Sequence, residues 1–215
     1  MTRPGTARPR PPAAHRPPPE FTERTPYGTR TFDPRSRLMD ERIVLLGTAV
    51  DDAAAGDVIA QLLCLEYTDP DRAVALYVNS PGGSTAAVLA VHDTLRAIHC
   101  PVETACIGQA GGATALLIAA GTRGRRLALP GARIALREPA LEEPAEGSPG
   151  DLAIHAAELL RQRAQLSALL ALHTGQEERR IAADLERTLF LTAAEAREYG
   201  VVDEVVGRRG AGQAQ

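Results

Sequence analysis

Apolar runs alternate with amphipathic segments along most of the chain, and this alternation predicts its secondary structure. Short continuous apolar runs, each bounded by polar or turn residues, predict buried strands. They cover residues 42–47, 73–78, 102–107, 127–129, 133–136 and 201–206. Because helical patterns lie between these runs, the order of elements predicts an α/β domain with a largely parallel sheet.

Apolar residues three or four positions apart predict the helices between the strands. Asp151 is expected to cap the longest helix, which ends at Gly175. Residues 177–189 form the next predicted helix, and Thr192 and Glu195 make a capping box that begins a short one. The chain after residue 150 is therefore predicted to be mainly helical.

One segment, residues 106–121, combines a strand end, a corner of small residues and a helix that is apolar on every side. A helix without a polar face belongs in the interior of a domain. Many hydrolases place a nucleophile at such a strand-to-helix corner, but Gly111 and Gly112 stand here. Because glycine has no side chain, the corner is predicted to lack a nucleophile.

The N-terminal part of the chain departs from this pattern. Residues 1–19 are rich in proline and arginine and contain too little apolar surface to fold, so we expect disorder. Residues 21–37 follow an irregular pattern, with a turn at Tyr27 and Gly28. The predicted organisation is an N-terminal extension and segment over 1–36, an α/β domain over 37–206 and a flexible tail over 207–215.

Composition and charge narrow the class of protein. The 215 residues are 44% hydrophobic and carry a net charge of -3, which suits one globular domain and points to neither nucleic acid nor a membrane as a partner. Cys64, Cys100 and Cys106 lack metal-ligand spacing, so we expect reduced thiols, no metal and no cofactor. The first residues contain no apolar signal core, and we expect a cytoplasmic protein.

Two glycine-containing corners follow predicted strands, at residues 80–83 and 108–114. Together they could direct backbone N–H groups at one oxygen atom, as an oxyanion hole does. Either corner taken alone is weak evidence, because a glycine corner is more often just a tight turn.

Several sequence segments give the chain a resemblance to a known family. They are 77–84 (YVNSPGGS), 108–110 (GQA), 117–122 (LIAAGT), 128–130 (ALP), 173–175 (HTG) and 194–203 (AEAREYGVVD). On these residues the chain resembles the ClpP family, the proteolytic subunits of ATP-dependent Clp proteases, from about Phe21 to Val206. The resemblance implies an α/β fold of the ClpP/crotonase type, a β/α spiral, with a protruding handle helix at about residues 138–173.

The resemblance also implies partners. ClpP-type subunits assemble into heptameric rings that stack in pairs, as homo- or hetero-tetradecamers, and a Clp-type AAA+ unfoldase feeds them unfolded polypeptide. Tyr77 matches an aromatic residue of the family's cleft for docking the ATPase, whereas Ala75 stands where some relatives have a second aromatic residue. Whether this subunit itself docks an unfoldase therefore stays open.

The catalytic triad is where the chain departs from the family. The positions of the nucleophilic serine, the base histidine and the orienting aspartate correspond to Gly112, Arg137 and Thr188. The backbone donors of the oxyanion hole correspond to Gly83 and Ala113. Glycine has no nucleophile, a guanidinium stays protonated, and threonine lacks the negative charge that stabilises an imidazolium.

These replacements favour a non-catalytic ClpP-like subunit that assembles with active paralogues. Two alternatives stay open: a working Clp-type serine endopeptidase with unrecognised catalytic groups, and a crotonase-like acyl-CoA enzyme. For the second alternative, no acid/base carboxylate is expected near Gly82 or Gly112. For the first, the remaining serines and histidines form no triad that the family supports. They are Ser80, Ser84, Ser148, Ser167, His92, His99, His155 and His173.

Overall fold

The computed structural model describes residues 21–25, 28–141 and 146–207. The segment predicted to be disordered, 1–19, and nearly all of the predicted tail lie outside these ranges. The chain divides into two compact units, residues 1–37 and 38–215.

The first unit contains an antiparallel hairpin of β1 (Phe21–Thr25) and β2 (Gly28–Phe32), and helix α1 (Pro34–Asp40) begins after it. The expectation of an irregular segment is therefore wrong for these strands. Threonine and charged residues occupy most positions of the two strands. The strands pair through backbone hydrogen bonds, which the hydrophobic pattern of the sequence does not reveal.

The second unit is built on a sheet that has seven strands in the part of the chain described. The order is β3-β4-β5-β6-β9, and β7 pairs with β5 and with β8. Every pair is parallel except β7 with β8, which is antiparallel. The strands are β3 (Ile43–Leu46), β4 (Val74–Ser80), β5 (Val102–Gly111), β6 (Arg126–Ala128), β7 (Arg133–Leu136), β8 (Leu189–Thr192) and β9 (Glu204–Val205).

Six further helices pack on or beside this sheet in the described residues, and the α/β fold class is confirmed. None of the helices described there is both long and apolar enough to cross a membrane. The helices are α2 (Asp52–Thr68), α3 (Thr85–Ala97), α4 (Thr114–Ala119), α5 (Pro149–Thr174), α6 (Glu178–Glu186) and α7 (Ala193–Tyr199).

Helix α5 is the predicted long helix, but its predicted capping residue is wrong. Asp151 is not the capping residue: Ser148 is, and Asp151 is the third helical residue of a capping box, where each side chain accepts from the other's backbone N–H. The helix begins at Pro149, and its use as the family's handle stays a prediction. The end at Gly175, which is left-handed with φ 77°, is confirmed.

Three other boundaries differ from the prediction, the first two because pairing with distant strands overrides the local pattern. The helix predicted over 177–189 ends at Glu186, and Leu189 begins β8, opposite Leu136. Strand β5 continues to Gly111 rather than residue 107, since its second half pairs with β7. The final strand shrinks to two residues.

The core lies on one side of the sheet, and α4 runs through it with all six of its residues buried. This confirms the prediction of an interior helix without a polar face. Burying a large aliphatic side chain is worth about 1.5–3 kcal/mol. The largest fully buried side chains include Leu62, Leu76, Leu116, Leu117, Ile118, Ile134, Leu136, Leu166 and Leu170.

A buried arginine ties the elements around the core together. Arg126, in β6, donates to both carboxylate oxygens of Asp203 and to the carbonyl oxygens of Ala119, His173 and Gly200. The same hydrogen bonds hold the pKa of Asp203 below its ordinary value. One guanidinium therefore joins the ends of α4, α5 and α7 to the sheet.

Candidate functional site

The first glycine corner joins β4 to α3. Gly82 and Gly83 have φ values of 123° and 150°, a region that favours glycine. The corner is held by Val50, whose N–H donates to Gly82 O at 2.9 Å and whose carbonyl accepts from Ser84 N–H at 2.8 Å. A Cβ atom on Gly83 would meet the carbonyl oxygen of Val50, so a side chain there is excluded by the backbone.

The second corner joins β5 to α4 and touches the first. Gly112 has φ 57°, and its N–H donates to Ala135 O at 2.7 Å. A Cβ on Gly111 would meet the carbonyl oxygen of Pro81, and a Cβ on Gly82 would lie 3.0 Å from Gly111 O. The prediction that the two corners act together therefore has the necessary geometry, because only glycines allow the two backbones to come this close.

Gly83 and Ala113, the predicted oxyanion-hole donors, line one cleft of about 260 Å³ between the corners. Their backbone N–H groups donate to no other residue that the structure describes. Two free amides in one cleft are the geometric requirement for holding an oxygen that carries negative charge. Their use for that purpose stays a prediction.

The side chain of Arg137 lies across this cleft, over the second corner. Its Nε is 3.1 Å from the position that a Cβ on Gly112 would occupy, and its Nη2 is 3.0 Å from the corresponding position on Gly82. Nη2 donates to Pro81 O at a long 3.4 Å. No carboxylate of the described residues forms an ion pair with Arg137; the adjacent Glu138 pairs with Arg163 at 3.5 Å.

Thr188 immediately precedes β8, and Arg137 immediately follows β7. The last pair of these antiparallel strands is Leu136 with Leu189, and beyond it Glu138 N–H donates to Leu185 O at 3.2 Å. Thr188 is exposed. The structure thus places Arg137 over Gly112, with Thr188 at the start of β8, the strand that pairs with β7. That these three residues occupy the family's triad positions stays a prediction, and none of the three can perform a triad step.

The chemistry of these groups is restricted to binding. A protonated guanidinium donates up to five hydrogen bonds and accepts none, so it cannot remove a proton. Gly112 has no side chain and therefore no atom that could attack a carbonyl carbon. The described part of the cleft therefore holds hydrogen-bond donors for an anion but no nucleophile with an adjacent base.

Two histidines form a buried pair elsewhere in the domain. His92 Nε2 and His173 Nε2 are 2.9 Å apart, and His92 Nδ1 contacts the carboxylate of Asp93 at 2.9 Å. Burial, followed by the positive charges of His92, Arg96 and other arginines, lowers the pKa of His173 to about 4. The pair is therefore occupied in packing α3 against the end of α5 and joins no serine.

The other serines and histidines form no hydrogen-bonded Ser–His pair within the described ranges. Ser80 Oγ bonds the backbone of Gly82, and Ser167 Oγ is buried without a partner there. Ser84 and His155 line one pocket of about 170 Å³ beside the cleft, without a hydrogen bond between them.

Tyr77 lies on the side of the sheet opposite to the core. It is half-buried and pairs in register with Leu45 of β3, which is 37% exposed. An open sheet face with an aromatic and an aliphatic residue is a surface on which another protein can pack. Docking of an ATPase at Tyr77 stays a prediction.

Sequence reasoning missed Asn79 as a residue that positions the site. Its Oδ1 accepts from Gln109 N–H at 3.2 Å and fills the space beside Gly108, where a Cβ would collide with it. This contact joins β4 to β5 immediately before both corners. The available signal was a single asparagine that ends an otherwise apolar strand.

Comparison with known proteins agrees with this geometry. A family model described as Clp protease matches residues 26–209. A "putative ATP-dependent Clp protease proteolytic subunit-like" protein of Streptomyces coelicolor is 59% identical, over 89% of this chain and 91% of the relative. An "ATP-dependent Clp protease proteolytic subunit 1" of Bifidobacterium longum is 51% identical, over 89% and 82%. Proteolytic subunit 2 of S. coelicolor is 47% identical, over 89% and 87%.

Proposed function

The chain belongs to the Clp protease family, and we propose that it is a subunit of Clp protease assemblies that does not itself cleave peptide bonds. One observation carries this proposal: the guanidinium of Arg137 lies against Gly112, where a Clp protease needs a serine beside a histidine. Neither residue can attack a carbonyl carbon or take up a proton.

The expected loss of rate is large. Removing the triad of a serine protease costs on the order of 10⁶ in kcat, which is about 8 kcal/mol of transition-state stabilisation. An oxyanion hole and binding alone leave a rate roughly 10³–10⁴ above the reaction in water. Even with Gly83 and Ala113 positioned as donors, the subunit is therefore expected to be inactive as a protease on its own.

Assembly with triad-bearing paralogues gives such a subunit a role in protein degradation. Helix α5 is 26 residues long, about 39 Å at 1.5 Å per residue, and it exposes Leu152, Ile154 and Leu160. Exposed large aliphatic side chains on one long helix support its use as a contact between subunits. In the proposal, mixed heptameric rings in the cytoplasm receive unfolded polypeptide from a Clp-type AAA+ unfoldase, which docks on this subunit or on the partner ring.

Peptidase assays of three samples test the proposal. The chain alone is expected to give no hydrolysis of a fluorogenic peptide, and a mixture with a triad-bearing paralogue of the same organism is expected to co-purify and to hydrolyse it. The triple variant Gly112→Ser, Arg137→His, Thr188→Asp is expected to gain weak activity. Failure to associate with any triad-bearing paralogue would overturn the proposed role.

A working endopeptidase with other catalytic groups is the second candidate. The shared pocket of Ser84 and His155, next to Gly83, is the observation that favours it. A fluorophosphonate probe that labels Ser84 in the purified chain, and fails to label the Ser84→Ala variant, would establish this alternative. We expect no labelling, because the two side chains are not hydrogen-bonded.

A crotonase-like acyl-CoA enzyme is the third candidate, because that superfamily shares the spiral fold and the paired backbone donors. Such an enzyme needs an acid/base carboxylate at the corners. Glu138 is the only carboxylate that lines the cleft in the described residues, and it pairs with Arg163. Binding of a CoA thioester to the purified chain, measured by calorimetry, would favour this candidate; we expect none.

A further inference from the structure

Arg137 is the only cationic residue among the described residues that line the cleft between the glycine corners, and it forms no ion pair with a carboxylate of the described residues. The charged lining residues of the cleft, among those described, are Arg137 and Glu138. The carboxylate of Glu138 is 3.5 Å from the guanidinium of Arg163, which also contacts Glu186 at 3.2 Å. Glu138 therefore shares the guanidinium of Arg163 with Glu186, whereas Arg137 makes only one long hydrogen bond, to the carbonyl oxygen of Pro81.

The donor residues line one small cleft. The guanidinium presents a planar set of N–H groups that matches the two oxygens of a carboxylate. The N–H groups of Gly83 and Ala113 add two donors in the same cleft of about 260 Å³. An arrangement of several donors favours a ligand group that only accepts hydrogen bonds and carries negative charge.

The remaining lining is small or apolar. It consists of Pro139, Ala140 and Leu141, with Thr85 and Gly112 at the glycine corners. A guanidinium beside an apolar wall suits a ligand in which a carboxylate and an aliphatic side chain are attached to the same carbon atom. The C-terminal residue of a peptide has this chemistry, whereas a phosphate dianion would leave the apolar wall uncovered and would meet a single guanidinium.

We propose that this cleft binds the free C-terminal carboxylate of a peptide, with the guanidinium of Arg137 and the amides of Gly83 and Ala113 as donors and the wall at Ala140 and Leu141 contacting the last side chain. The inference rests on the proposed function, because a cleft without hydrolytic activity releases its peptide unchanged. In this proposal, Gly112 and Arg137 in place of the serine and the histidine convert a site that would bind an acyl group into a site that binds a carboxylate.

Gly112 contributes to this site because it has no side chain, which leaves room for the guanidinium of Arg137. A Cβ at this position would lie 3.1 Å from Arg137 Nε, closer than side chains normally approach, so the guanidinium would have to move away. Glycine at 112 therefore permits the position of Arg137 over the corner. Gly112→Ala is expected to weaken carboxylate binding even though it adds no charge and removes no donor.

Fluorescence polarisation of the full-length chain with two labelled peptides tests the proposal. Both peptides have the sequence Gly-Ala-Leu with fluorescein at the N-terminus, and one ends in a free carboxylate while the other ends in a carboxamide. We expect the carboxylate to bind about tenfold or more tightly, since a hydrogen bond to a charged group is worth about 1.5–3 kcal/mol. Arg137→Gln is expected to abolish the difference between the peptides.

A matched control separates the site from general electrostatics. Arg123 is an exposed arginine that lines a different pocket, and Arg123→Gln makes the same change of charge and is expected to leave the difference unchanged. Equal binding of the two peptides, or a carboxylate preference that survives Arg137→Gln, would overturn the inference.

The same samples distinguish this inference from the proposed function. Mass spectrometry of the incubated peptides reports hydrolysis independently of binding. Cleaved peptide from the chain alone would refute the proposed non-catalytic role, whatever the carboxylate preference. Intact peptide without a carboxylate preference would refute only the carboxylate site.

Discussion

Two arginines show how differently two regions of one domain use the same side chain. Arg126, at the β6 end of the sheet, is 6% exposed, and its guanidinium contacts the carboxylate of Asp203 and three carbonyl oxygens. Arg137, at the glycine corners, is exposed and makes one contact at 3.4 Å. The N–H groups of Arg126 find their partners within the fold, whereas those of Arg137 are available to a ligand.

The difference teaches which features of an arginine indicate structure and which indicate function. Burial of a guanidinium is tolerated only when its N–H groups find partners, because an unpaired buried charge is very unfavourable. Arg42 follows the same rule, with hydrogen bonds to the carbonyl oxygens of Leu65, Asp69, Arg72 and Ala73. An exposed arginine that lies over two glycines has no such structural requirement.

The largest effect is expected from Arg126→Met. This change leaves Asp203 and several buried carbonyl oxygens without their donor, so we expect the free energy of unfolding to fall by about 3–5 kcal/mol. Urea denaturation at a fixed protein concentration measures it. Arg123→Met, at an exposed position, is the control and should change stability by less than about 0.5 kcal/mol. An Arg126→Met variant as stable as the control would break the contrast between the two arginines.

The two glycine corners sharpen the comparison, with Gly83→Ala expected to have the next largest effect. The new Cβ would meet the backbone of Val50 at a φ of 150°, and we expect a loss of about 2–3 kcal/mol. Gly112→Ala, its matched control, meets only the movable side chain of Arg137 and is expected to lose about 1 kcal/mol. Thermal unfolding of both variants checks this order, and the reverse order would contradict the geometry.

The histidine pair next to Arg126 gives the structural region a pH dependence. The pKa of His173 is lowered from 6.5 to about 4 by burial and by the charges of His92, Arg96, Arg126 and Arg123. Between these values the unfolded chain binds a proton that the folded chain does not, so stability is lost as the pH falls from 6.5 towards 4. We expect this histidine to account for about 1–2 kcal/mol of the loss over that range.

The measurement is urea denaturation at several pH values, with His173→Gln as the comparison. The variant is expected to lose less stability than the wild-type chain between pH 6.5 and about 4, because it has no imidazole to titrate. Identical pH dependence of the two proteins would show that His173 does not stay neutral in the fold.

The smallest effect on stability is expected from Arg137→Met. Removal of an exposed guanidinium with one long contact should change the free energy of unfolding by less than about 0.5 kcal/mol, against the several kcal/mol expected at Arg126. The same urea titration measures both. A loss at Arg137 as large as that at Arg126 would assign Arg137 a structural role and remove its distinction from the buried arginines.

The sequence predicted those parts of the fold that local patterns control. The capping box at Thr192 and Glu195 and the end of α5 at Gly175 are both present, because each depends on residues within one turn. The buried character of α4 was equally visible, since an apolar segment needs no partner to reveal itself. Both glycine corners were found for the same reason.

Long-range pairing accounts for what the sequence did not predict. Leu185 and Leu189 are spaced as in a helix, yet Leu189 pairs with Leu136, and no local signal shows this. The position of Arg137 over Gly112 depends on the pairing of Gly111 with Ala135 in the adjacent strand. The residues of the site could therefore be named from the sequence, whereas the contact that defines its chemistry required the structure.

The proposal that this chain does not cleave peptide bonds is tested most directly in rings whose other subunits are inactive. This chain would be assembled with a triad-bearing paralogue in which the catalytic serine is replaced by alanine, and hydrolysis of a fluorogenic peptide would be measured beside rings made with the unmodified paralogue. We predict activity at the level of the blank in the first assembly and clear activity in the second. Hydrolysis that persists in the first assembly would show that this subunit cleaves peptide bonds itself.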